Sequence, residues 1–288
     1  MTDEIPVIHN TLFIGTCKGE PDPLPFAELL GHHADVRDAI ARTIHIGHEQ
    51  APDLPTFVCI ISFVYAFNTY KALGLLLPEL YHESGAVVLR QLWEVSLNLH
   101  WIERDPSVRA QNFCNFTTME FRKIIQKAGG SSTLQDFDNA TSNFQTKFRY
   151  RDNKGRNQKH SVFATKSIHD RADELADPWK CEYEFVYHLA SLHAHGAPGA
   201  ILQPHFQQHY SSPEIRERNS VSLITILSIN VLMRDLRLLV RLGVIQNCDE
   251  AEKAYASFQY TMERDKGAGK QTGPESMNAT EREIPTKK

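Results

Sequence analysis

The stretch ELYHESGAVVLRQLWEVSLNLHWIERDP, residues 79–106, decides the fold. Within it Val88, Leu92, Val95, Leu99 and Ile102 recur at 4-3-4-3 spacing, the period of an amphipathic helix. At 3.6 residues per turn, Arg90, Glu94 and Asn98 form a second stripe on roughly the opposite side. Val87, Leu97 and Trp101 share that second sector, which a plain solvent face would rarely carry. A helix that is apolar on two sides is packed on two sides, so this segment belongs inside a bundle. Asp105-Pro106 closes it: a capping residue followed by a first-turn proline opens the next helix.

Helical signals follow one another in both directions from this segment. Pro25 opens a pattern that runs through His48. Pro52 and Pro55 precede a second helix, which Pro78 stops near Leu77. The third runs from about Glu79 to Glu103, and the fourth from Pro106 to Gly129-Gly130. Ser132-x-x-Gln135 has capping-box spacing and starts a fifth helix towards Arg149. Residues 150–178 are polar and read as loop, with a short helix near Ile168–Leu175. Trp179 to His195 reads as one helix closed by Gly196 and Pro198. A long helix follows from Ser212-Pro213 to Gly243, and a last one over about Cys248–Arg264. The expectation is all-α: a single-domain bundle of about seven or eight helices over residues 23–264. An N-terminal arm (1–22) precedes it, and a tail (265–288) with too few apolar side chains to pack follows it.

The composition is that of a soluble globular chain. Of 288 residues 41% are hydrophobic, and 31 Lys and Arg stand against 35 Asp and Glu, a net charge of −4. That balance excludes a polybasic nucleic-acid tail protein and a disordered polymer. Five cysteines with no Cys-x-x-Cys pair exclude a zinc ribbon and suit reduced thiols in a cytosolic core. The acidic N-terminus has no basic segment leading an apolar one, so no secretory signal is read. The apolar runs Phe57–Phe67 and Val221–Met233 fall short of the roughly 20 residues a bilayer requires. They read as buried helices; a membrane partner is not expected, and the cytoplasm is.

Three constellations bear on function. Arg90 and Glu94, one turn apart, either fix helix register as an ion pair or form a charged pocket between helices. Tyr183, Tyr187, Ser191 and His195 recur every four residues along one helix face. His195, near a helix C-terminus, is favoured as the cation and suits proton exchange. The segment Lys147–His160 holds Lys147, Arg149, Arg151, Lys154, Arg156 and Lys159 against the single acid Asp152, with Phe148 and Tyr150 among them. It is either a solvated loop or a surface for phosphate contact and base stacking. Fourteen histidines, seven of them between His160 and His209, raise the question of metal. The pairs His45/His48 and His205/His209 lack an intervening Glu, and His169-Asp170 sits in a polar stretch rather than an apolar helix. No metal site and no cofactor are expected.

Leu89-Arg90-Gln91-Leu92-Trp93-Glu94, followed by His100-Trp101-Ile102-Glu103-Arg104-Asp105-Pro106, resembles the Arg-x-x-x-Glu helix of a bacterial family, domain of unknown function 5677. In that family a Tyr-x-x-x-Ser-x-x-x-His helix follows, here Tyr187, Ser191 and His195. The likeness spans about residues 55–240 and implies an all-helical bundle of unassigned activity. The family is similar, more distantly, to HEPN helical domains, many of them RNases of toxin and phage-defence systems. HEPN nucleases carry Arg and His four to six residues apart. This chain has one such pair, Arg42-x5-His48, in the first helix rather than a late one, where chance alone supplies about 2.5. The resemblance supports the bundle and weakens the nuclease. It leads to an expectation of an RNA- or nucleotide-phosphate-binding module. Its pocket would be Arg90, Glu94, Asn98, Tyr187, Ser191 and His195, and the basic segment would capture phosphate. Should it cleave RNA, Glu94 or His195 would be the acid or base and Arg90 the phosphate stabiliser, without metal. The alternatives are a non-enzymatic interaction or homodimerisation module and a metal-dependent HD-type phosphohydrolase.

Overall fold

The structure, a computed structural model, describes residues 26–43, 52–127, 149–151, 157–159, 166–187, 190 and 213–268. It is all-α, with eight α-helices among those residues. They are α1 (Phe26–Thr43), α2 (Leu54–Leu76), α3 (His82–Glu103), α4 (Pro106–Lys127), α5 (Ile168–Leu175), α6 (Trp179–Glu182), α7 (Pro213–Arg241) and α8 (Asp249–Ala268).

Local chemistry sets the boundaries. Asp53 caps α2, its Oδ1 accepting from the Thr56 N–H at 2.9 Å, with Pro55 in the first turn. Pro78 lies in a 3-10 turn, Leu77–Glu79, and Leu80 takes a left-handed φ of 58°. These two breaks delay α3 to His82 rather than Glu79. Ser167 and Asp170 form a reciprocal capping box at the start of α5. Gly243, at φ 71°, ends α7 in the conformation that glycine adopts without a Cβ penalty.

α3 is the central helix, packed against α2 and α7 and more lightly against α4 and α5. Leu92, Trp93, Leu97, Leu99 and Ile102 are fully buried; each such side chain contributes roughly 1.5–3 kcal/mol relative to exposure. On α7, Val221–Met233 is buried nearly all round. Its Thr225 and Ser228 hydroxyls donate to the carbonyls of Val221 and Thr225, both at 2.8 Å, which lets polar residues sit in the core. α1 closes the bundle against α8 and α7.

Four expectations change. α2 is not a fully buried helix: Phe57, Ile61, Val64, Tyr65 and Leu75 are exposed. By length and composition Leu54–Glu79 could also cross a membrane, and 39% of its most apolar window is buried in the bundle. Within the segment read as loop, Arg149–Arg151 pairs antiparallel with Asn157–Lys159. The helix from Trp179 changes pitch after Glu182 into a π-turn, Tyr183–Tyr187. α8 continues past Arg264 to Ala268. The expected fifth helix (132–148), the arm 1–22 and residues 269–288 lie outside the described residues, as do His45, His48, His205 and His209.

Candidate functional site

The polar stripe of α3 meets α5 and the π-turn. Arg90, Glu94 and Asn98 are half-buried, as their position between two packed sides requires. Arg90 Nε donates to Glu94 Oε1 at 2.7 Å, and the guanidinium lies 4.3 Å above the Tyr187 ring. Tyr187 stacks on Tyr183, with centroids 5.1 Å apart and planes 14° from parallel. His169 meets the Tyr183 ring edge-on at 5.1 Å, and Trp93 lies 6.3 Å from it.

Asn98 brings in a residue that sequence reasoning missed. Its side-chain oxygen accepts from Arg171 Nη1 of α5. Arg171 is 3% exposed, and burial pushes its guanidinium down to about 10, while the Glu94 carboxylate and Tyr187 favour the charged form. A signal was present: Ile168, Arg171, Ala172 and Leu175 follow i, i+3, i+4, i+7 spacing, which puts Arg171 on the inward face of α5. The site thus holds two guanidinium groups beside one carboxylate, backed by aromatic rings.

Of the other predicted site residues, Ser191 and His195 lie outside the described residues, as do Lys147, Lys154 and Arg156. Arg149, Arg151 and Lys159 are on the two-stranded ribbon, whose register sets Arg149 opposite Lys159. His169 and Asp170 are exposed, and Asp170 accepts from the Ser167 backbone and hydroxyl at 3.2 and 2.7 Å as part of the cap. Among the described residues no group of three or more His, Cys, Asp or Glu is placed to hold a metal ion.

A second polar set lies deeper, between α3, α6 and α7. Arg234, which shares a face of α7 with Arg237 and Arg241, is 6% exposed and makes a bidentate pair with Glu182 at 2.9 and 2.7 Å. Arg237 pairs with Glu252 of α8 at 2.8 Å. Trp93 Nε1 also donates to Glu182, at 2.9 Å, and Arg234 lies 4.3 Å over Trp179. Asp235, fully buried, accepts from Ser96 and lies 3.2 Å from His100 Nε2.

The family model described as "Family of unknown function (DUF5677)" matches residues 56–212. No curated protein and no solved structure matches the chain.

Proposed function

The chain belongs to the family of unknown function DUF5677, and we propose that its bundle binds the phosphate of RNA or of a nucleotide. The observation that carries this reading is the setting of Arg90. Glu94 holds its Nε and Tyr187 holds its face, while no described residue takes its two terminal nitrogens. A guanidinium fixed in this way loses little side-chain entropy when a phosphate takes that edge in bidentate fashion. Arg171, desolvated and coupled to the same Glu94 carboxylate, adds positive potential that water screens little. The ribbon carrying Arg149, Arg151 and Lys159 supplies further cations for a polyanion. If strand scission follows, Glu94 or His195 exchanges the proton and Arg90 stabilises the developing charge.

Fluorescence anisotropy with a single-stranded RNA oligonucleotide tests the reading. Binding is expected to weaken steeply between low and physiological salt. Arg90→Gln should lower affinity at least tenfold with an unchanged melting curve, and so should Lys154, Arg156 and Lys159 replaced together by Ser. An Arg90→Gln variant that melts earlier but binds as wild type would leave Arg90–Glu94 as a register-fixing pair and sink the proposal. Loss of cleavage in Glu94→Gln at unchanged melting would add catalysis to binding.

A further inference from the structure

The outward face of α2 takes no part in the site. Its exposed residues are Phe57, Ile61, Val64, Tyr65, Asn68, Lys71 and Leu75. With Tyr65 set aside, they follow one another at 4-3-4-3-4 spacing. That 3.5-residue repeat is the seam of two helices packed along their lengths. An outward face of a monomeric bundle is normally charged; here Lys71 is its one charged member. Phe57, Ile61, Val64 and Tyr65 keep between 39% and 47% of their surface exposed, and Leu75 keeps 77%.

We propose that this face is the contact surface of a homodimer, in which α2 packs antiparallel against α2 of a second copy. Phe57, Ile61, Val64 and Tyr65 together leave an apolar stripe of about 350–400 Å², a size at which a patch on a monomer is often functional. It is nearly half of the ~800 Å² that each partner contributes to a standard interface. Charge favours a specific register. A two-fold axis between Ile61 and Val64 sets Ile61 against Val64 of the second copy and Phe57 against its Asn68. Lys71 then reaches the start of the other α2, where the cap carboxylate of Asp53 stands exposed. At each end of the paired segment Lys71 of one copy meets Asp53 of the other, an opposite-charge contact that slipped registers lose.

Sedimentation velocity on the full chain over a hundredfold concentration range tests this. Wild type is expected to sediment as a dimer. Ile61→Lys and Val64→Glu should each raise the dimer dissociation constant at least tenfold without loss of helical circular dichroism, because both positions are exposed. Mixing the two variants should restore a dimer, since the axis sets the lysine of one against the glutamate of the other. A monomeric wild type overturns the proposal, whether it stays free or floats with phosphatidylcholine vesicles. So does a dimer that survives both substitutions, or a mixture that stays monomeric.

Discussion

His33 sits 2% exposed on the inner side of α1, its ring stacked on Tyr70 at 3.9 Å, and Tyr70 donates to the His33 carbonyl at 3.1 Å. Burial, with the nearby Arg37 charge adding to it, pushes the imidazole down to about 3. An unfolded chain takes up a proton near pH 6.5 that the folded chain refuses until about pH 3. Stability is therefore complete above the unfolded value and falls through that window, by up to about 1.4 kcal/mol per pH unit. Urea midpoints measured between pH 7 and 4 should fall accordingly in wild type. In His33→Gln they should start lower and lose that slope; a slope that persists in the variant assigns it elsewhere. Glu174 acts in the same direction at lower pH. Burial raises it, but hydrogen bonds from Lys166, Trp101 and Arg109 outweigh that and hold it at about 2. Its contribution is thus present above the ordinary Glu value and lost as pH falls towards 2. None of this is legible one residue at a time. His33 and His32 are adjacent in sequence, yet His32 bonds Thr261 at 2.9 Å whereas His33 Nε2 has no partner.

At the scale of elements, α3 succeeds as a prediction because its two stripes are local. A 4-3-4-3 apolar repeat and a polar turn-by-turn repeat both follow from helix geometry alone. The partners of those stripes are not local. Glu182, on the four-residue helix α6, receives Arg234 from α7 and Trp93 from α3. Removing its charge leaves Arg234 buried without its carboxylate, so Glu182→Gln is expected to cost about 3 kcal/mol, within the range for breaking a buried pair. Chemical denaturation against wild type checks this, and a cost below about 1 kcal/mol would mean solvent reaches the pair. The π-turn after Glu182 shows the opposite limit. Its residue pattern resembles that of an ordinary helix, because a four-residue repeat of Tyr183 and Tyr187 suits both pitches.

For the whole molecule, closure depends on contacts between its distant ends. Thr261 of α8 links His32 to Glu28, Arg264 bonds Glu28 at 2.8 Å, and Phe258 is buried against α1. Residues more than 200 positions apart thus close one core, so α8 belongs to the cooperative unit rather than fraying separately. Phe258→Ala should lower global stability by roughly 3–5 kcal/mol. Far-UV and near-UV circular dichroism should then melt together at a lower temperature. A separate early transition confined to helix content would show α8 to be an independent unit. The sequence by itself determined the helical class, most helix boundaries and the Arg90–Glu94–Asn98 stripe, because period, caps and prolines act within one or two turns. It did not reveal the burial of Arg171 and Arg234, and it misread the outward face of α2. A side chain's exposure depends on which helix packs beside it, and that is settled only when segments far apart in the chain meet.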